Sequence, residues 1–267
     1  MDIDDEKEEA SIGIPGVLAV DVGNTSVHIA AVQGETVSEV RVLRDQELSG
    51  LDEVLRQFWE TLPQQRKVVA ASVNAAYLAM LEASAKSALK QEVLLVGRDV
   101  PLPIKTDLPQ PERIGTDRLC AAVAAYDRIG TACVVADFGT AITIDCVSDE
   151  GVFLGGAIMP GLRMGAQSLH DGTDQLPLVE LVDPTWVFGK DTRQAIVGGL
   201  IVGARGALRE LVERYANYLN HWPTVVITGG DAPLICPDPR NDELVQAIVP
   251  DLALRGVAAA WYRTLLK

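Results

Sequence analysis

One short pattern occurs twice in this chain, and it constrains the fold more than any other feature. Ala19-Val20-Asp21-Val22-Gly23 returns as Val135-Ala136-Asp137-Phe138-Gly139. Each copy has an aspartate at the end of an apolar run, a glycine two residues later and a second apolar run beyond. A repeated strand–turn–strand unit with the same chemistry at its tip predicts two like-folded halves. The surrounding elements follow a common order. In the first half, residues 18–20 and 27–32 and the sequence around Val37, Val40 and Val42 read as three strands of an antiparallel meander. Leu51, Val54, Leu55, Phe58, Trp59 and Leu62 fall at helical spacing. A strand over 68–73, a helix through Leu78, Leu81, Ala85 and Leu89, and a strand over 93–96 follow. The second half repeats this with strands near 132–136, 142–147 and 153–158, a long helix over 192–219, a strand over 225–227 and a closing helix over 252–266. Between the halves, the proline-rich 101–111 reads as loop and the alanine-rich 119–126 as helix, stopping at Gly130. The expected fold class is α/β, with one mixed sheet flanked by helices in each of the segments 17–128 and 129–267. A cleft lies between them, with both Asp-x-Gly turns pointing into it. Residues 1–16 read as an acidic solvated tail.

The chemistry of the turns points to phosphate. In Asp21-Val22-Gly23-Asn24-Thr25, glycine lets backbone N–H groups approach an anion closely, Asn24 and Thr25 add polar side chains, and Asp21 at a strand end can hold Mg²⁺. The turn has no lysine, and the Walker A pattern occurs nowhere in the chain. One such turn is equally an ordinary hairpin. Two in a repeated frame, each with a carboxylate at a strand end, suit metal-assisted phosphoryl transfer. A third glycine turn, Thr228-Gly229-Gly230-Asp231, follows the late strand where an adenosine contact is expected, although alone it is only a tight turn.

On the acceptor side, Gly115-Thr116-Asp117-Arg118 opens the alanine-rich helix. Asp117 can serve as a first-turn residue of that helix, or it can take the proton of an acceptor hydroxyl. Arg118 can be a surface cation, or its planar fork can bind a substrate carboxylate.

The formal net charge of −14 argues against a broad nucleic-acid surface, which needs clustered cations. Cys120, Cys133, Cys146 and Cys236 form no C-x-x-C pair, so a structural zinc site is not expected, and Cys133 and Cys146 read as small buried hydrophobes. The sequence offers no secretion signal and no run long enough to span a bilayer. Those readings place the protein in the cytoplasm, away from membrane and nucleic acid.

The three glycine turns in this order resemble the phosphate-1, phosphate-2 and adenosine motifs of the sugar kinase, heat-shock ATPase and actin superfamily, whose domains are ribonuclease-H-like (actin-like ATPase) folds. Six blocks taken in order resemble type III pantothenate kinases: Asp21 to Thr25, Gly115 to Arg118, Asp137 to Ala141, Leu154 to Gly161, Phe188 to Thr192, and Thr228 to Gly230 with the closing Leu254-Arg255-Gly256. The resemblance runs from about Val17 to the C-terminus.

It implies a kinase moving the γ-phosphate of ATP to the hydroxyl of pantothenate, giving 4′-phosphopantothenate on the way to coenzyme A. It implies Mg²⁺ with the ATP and a monovalent cation, K⁺ or NH₄⁺. Carried over, Asp21, Val22, Gly23, Asn24, Thr25, Ser26, Val27 and His28 hold the ATP phosphates, with Asp21 on Mg²⁺. Thr140, Gly229 and Gly230 contact ATP, and Asp137 binds the monovalent cation. Gly115, Thr116, Asp117 and Arg118 hold pantothenate, Asp117 is the general base, and Thr192 reaches the pantothenate of a neighbouring subunit in a homodimer with sites at the interface.

The sequence departs from the family at Thr116, commonly Ala, at Ser26, commonly Asn, and in 106–110, where many members carry an aromatic residue. His28 reads also as a strand-face histidine, and His170 and Asp171 as a helix end. Trp186 and Phe188 read as core or subunit contact. Gly198, Gly199, Gly203 and Gly206 suit either a dimer contact or internal helix packing. Two alternatives stay open: a kinase for another small acidic alcohol, and a regulatory or accessory protein that kept the fold with weak or lost catalysis.

Overall fold

The computed structural model describes residues 13–266, so residues 1–12 of the expected tail lie outside the described residues. Strands β1 (Gly16–Val22) and β2 (Ser26–Gln33) are rich in valine and alanine and pair antiparallel, from Gly16 opposite Gln33 to Val22 opposite Val27. The third strand of the meander is split. β3 (Thr36–Val37) pairs the far end of β2 and β4 (Arg41–Arg44) its near end. Ser38 makes the break: its N–H donates to Ala31 O at 2.9 Å, and its hydroxyl accepts the Ala31 N–H at 3.0 Å. Helix α1 (Leu51–Thr61), strand β5 (Arg66–Ser72), helix α2 (Ala75–Ser84) and strand β6 (Val93–Leu95) complete the first half, with β5 and β6 adding parallel to β1. The helix expected through Leu89 ends as one wide π-turn over 85–89.

The proline-rich loop is not wholly irregular. Its β7 (Lys105–Thr106) pairs parallel with the edge of the second sheet, an edge position where flanking prolines are tolerated. Helix α3 (Thr116–Ile129) ends at Gly130 in the left-handed region, φ 73°, as its sequence predicts. Strands β8 (Cys133–Phe138), β9 (Ala141–Val147) and β10 (Val152–Pro160) form the second meander. After helices α4 (Leu162–Asp171) and α5 (Thr192–Leu219), strand β11 (Thr224–Thr228) joins parallel to β8. The short α6 (Ala232–Ile235) and β12 (Ala247–Ile248) precede helix α7 (Leu252–Tyr262), which stops four residues earlier than its hydrophobic pattern suggested. The two sheets thus carry the same β-meander with parallel additions, the duplicated α/β architecture expected from the repeat.

Alternation along the strands sends each sheet's side chains to two faces. On the outer faces, Leu18, Val20 and Val22 pack with α1 and α2, and Ile142, Ile144 and Cys146 pack with α4 and α5. The inner faces are covered by helices exchanged between the halves. Leu254, Val257, Ala258 and Trp261 of α7 cover Val17, Ala19, Ala30 and Val69 of the first sheet. Leu119, Ala121, Ala122 and Ala125 of α3 cover Val135, Val147 and Phe153 of the second. The two helices cross closely, because a Cβ on Gly256 of α7 would overlap the carbonyl of Cys120 on α3.

Candidate active site

The two Asp-x-Gly turns meet at the mouth between the sheets. Each is a tight strand connection, closed by Gly23 N–H to Ser26 O at 2.9 Å and by Gly139 N–H to Ala141 O at 3.2 Å. The hydroxyls of Thr25 and Thr140 are hydrogen-bonded to each other at 2.6 Å, so one turn touches the other across the cleft. The first turn is braced by α2. Its N-cap Asn74 accepts from Ala76 and Tyr77 N–H and donates Nδ2 to Asn24 O at 3.4 Å. The second is braced by the Pro160-Gly161 end of β10, where Gly161 N–H donates to Thr140 O at 3.2 Å and a side chain would strike that same carbonyl. Gly229, with φ +94°, closes the pocket from the third side, lying against Phe138 O and the Asp137 carboxylate with no room for a Cβ. Gly230 beside it faces open space.

Three carboxylates converge on this mouth. Asp21 is pushed up to about 8, first by burial, then by the charges of Asp117 and Asp137. Asp137 is pushed up to about 7 by burial, then by Asp117 and Asp145. Asp21 Oδ1 and Asp137 Oδ1 are buried without a hydrogen-bond partner among the described residues. An unpaired buried carboxylate oxygen is costly, and a hard cation taking oxygen ligands would satisfy it. Among the described residues no three acidic, histidine or cysteine side chains form a complete metal-binding group. Each turn thus presents one unpaired carboxylate oxygen to the cleft, able to serve as a single protein ligand to a cation.

Asp117 lies in the first turn of α3 and folds one oxygen, Oδ1, back onto Arg118 N–H at 2.8 Å. This bond fits the helix-start reading of Asp117 and uses only one of its two oxygens. Gly115 is needed here, because a Cβ would meet the Asp117 carboxylate. Arg118 is not a surface cation. Its side chain is 16 % exposed, and its Nε and Nη2 grip the two oxygens of Asp145, which is 2 % exposed. Sequence reading missed Asp145. Its one local signal is the lone charged residue in the strand Ala141–Val147, at a position facing α3.

His28 sits on β2 opposite Asp21, bonded to Ser26 Oγ at 3.0 Å, and burial and then the Arg44 charge lower its pKa. Asp231 is buried behind the third glycine turn, paired with the exposed Arg163 at 3.0 Å, a contact no motif announced. Thr192, the first residue of α5, is exposed and bonds to none of these groups among the described residues. Of the helix glycines, a Cβ on Gly198 would lie 3.6 Å from Trp186 Nε1, whereas one on Gly199, Gly203 or Gly206 would meet nothing.

Comparison with known proteins points to one family. The family described as type III pantothenate kinase matches residues 17–214. A type III pantothenate kinase of Dehalococcoides mccartyi is 34 % identical, over 90 % of this chain and 95 % of that protein. One from Syntrophotalea carbinolica is 33 % identical over 92 % and 98 %, and one from Geobacter sulfurreducens 30 % over the same shares. A solved structure from Campylobacter jejuni, described as a Baf family transcriptional activator, shares the fold with a TM-score of 0.60 and 20 % identity, over 94 % of this chain and all of that one.

Proposed function

The chain belongs to the type III pantothenate kinase family, and from that premise we propose how its cleft divides the labour of moving the γ-phosphate of ATP to the hydroxyl of pantothenate. The observation that carries the reading is the pair of Asp-x-Gly turns joined through Thr25 and Thr140, with Asp117 close enough to raise the pKa of both turn aspartates. The backbone from Asp21 to His28, with Thr140, Gly229 and Gly230, lines the triphosphate path. Asp117 takes the proton of the pantothenate hydroxyl as its oxygen bonds to the γ-phosphorus and the bond to the β-phosphate oxygen breaks. Gly115, Thr116 and Arg118 bound the acceptor pocket. With Asp145 on Nε and Nη2, Arg118 offers its Nη1 edge to the pantothenate carboxylate.

A kinase of this family works with ATP and a divalent metal. We assign Mg²⁺ to Asp21 and a monovalent cation, K⁺ or NH₄⁺, to Asp137, supported by the unpaired buried oxygen on each. When bound, these cations neutralise the charge that gathers on the phosphates.

The protein is proposed to act as a homodimer in the cytoplasm. Val202 (66 % exposed) shares one face of α5 with the open Gly199, Gly203 and Gly206, an apolar surface suited to a second copy that would bring its Thr192 to the neighbouring pocket. No helix among the described residues is long and apolar enough to cross a membrane. In this reading the chain segment of one sheet gives way to that of the other at residues 128–129.

A coupled assay of ADP release tests the reading. Turnover should require pantothenate, a divalent metal and K⁺ or NH₄⁺, and Asp117→Asn should abolish it. Turnover with a different acidic alcohol and none with pantothenate would move the protein to another acceptor. A cellular role that survives Asp117→Asn would favour an accessory protein.

A further inference from the structure

Asp117 stands between two anchors, one on each sheet. On one side, Thr116 Oγ1 accepts the Ser72 N–H and donates to the Ser72 carbonyl, both at 3.1 Å, fastening the start of α3 to the end of β5 in the first sheet. On the other side, Arg118 Nε donates to Asp145 Oδ2 at 3.0 Å and Nη2 donates to Oδ1, fastening the same turn to β9 in the second sheet. The guanidinium carbon lies 5.7 Å from the centre of the Phe153 ring, which walls it from behind. Room for the Asp145 carboxylate is made by its neighbour on β10. Gly156 stands opposite Asp145, and a Cβ there would overlap the Asp145 carboxylate and the Ile144 carbonyl.

A carboxylate this deeply buried is costly in an apolar sheet, and a bidentate pair with arginine answers both of its oxygens. Arg118 alone could bind an acid from many angles. Held by two of its nitrogens, it has one orientation, and the turn that carries Asp117 has one position between the sheets.

We infer that Asp145 is a positioning residue for phosphoryl transfer: through Arg118 it fixes where Asp117 meets the acceptor hydroxyl, with Gly156 keeping the space it occupies. This rests on the reading of Asp117 as the base. Asp145 touches neither substrate, so it acts only through Arg118.

The test is a double-variant cycle at Arg118 and Asp145 in the full-length chain, assayed for pantothenate-dependent ADP release. D145N should lower kcat by about 10- to 100-fold, the scale of a base displaced by roughly an ångström, and leave the KM for ATP within about twofold. Because Asp145 works through Arg118, adding D145N to R118A should change kcat by less than about twofold. If D145N does not fold because it strands the arginine charge, R118A/D145A removes both charges, and its kcat should then match that of R118A. A D145N enzyme with turnover within about twofold of the unaltered enzyme overturns the inference. So do additive losses in the cycle, because Asp145 would then act independently of Arg118. D117N is measured beside these variants. Full turnover by D117N would defeat the kinase reading itself, whatever Asp145 does.

Discussion

At the scale of single residues, the site is built from groups that the fold holds at a cost. A carboxyl raised to about 8, like Asp21, keeps its proton in the folded chain at pH values where the unfolded chain has lost it. With no metal bound, the folded state therefore loses stability as pH climbs from the ordinary carboxylate range, about 4, towards 8. Asp21→Asn removes that penalty. In chelator-treated protein it should melt higher than the unaltered chain at pH 8, with the gap narrowing towards about pH 5, while its kinase activity is lost. Thermal melts across pH check the sign, and an Asn variant that melts lower at pH 8 contradicts it.

A second titrating pair lies far from the chemistry. Asp149 is held down to about 2 by hydrogen bonds from Thr131, His221 and Ala132, and His221 is raised by its bond to Asp149. The aspartate's share of stability is present above the ordinary carboxylate range and fades as pH falls towards 2. The histidine's share is present below about 6.5 and fades as pH rises through its raised value. His221→Gln should therefore lower the melting temperature most near pH 5 and least above about pH 8. The effect should be small, since the pair is exposed.

At the scale of elements, much was legible because its signals are local. The Asp-x-Gly turns, the Gly130 stop and the stripe of α1 each follow from a few adjacent residues. Three features were not legible, for the opposite reason. The Arg118–Asp145 pair joins α3 to β9 across 27 positions. Strand β7 exists only because the edge of β10 accepts it. Gly256 looked like part of a terminal motif, yet its physical role is to let α7 lie against the Cys120 carbonyl. Because the obstacle is backbone, Gly256→Ala cannot be relieved by a rotamer change, and overpacking should destabilise the chain by about 1–3 kcal/mol or more. Denaturant titration measures this directly, and an unshifted midpoint would mean the helices can separate freely.

For the whole molecule, the exchange of α3 and α7 decides what can fold alone. Each sheet's inner face is covered by a helix from the other half of the chain. A fragment of residues 13–128 leaves Val17, Ala19, Ala30, Val32, Val69 and Ala71 without the α7 residues that cover them. That fragment should aggregate or bind a hydrophobic dye, and should become soluble when co-expressed with residues 129–267. The apolar face around Val202 gives a further prediction. If the proposed homodimer uses this face, Val202→Glu should shift the protein from dimer to monomer in sedimentation, and pantothenate KM should rise if a neighbour's Thr192 completes the pocket; an unaltered protein that is already monomeric would rule the dimer out.

The bond between Thr25 and Thr140 has its own consequence. On the proposed triphosphate path these hydroxyls meet, so nucleotide entry would have to part them, whereas the two anchors beside Asp117 tie that turn to both sheets. Opening by that route would resemble a nutcracker. The jaws are the glycine turns, and the pivot lies at the acceptor end, where the leverage is least. On that reading spent nucleotide would leave through the gap that widens most, and the alcohol would sit beside the hinge pin, where a swing of either lobe moves it little.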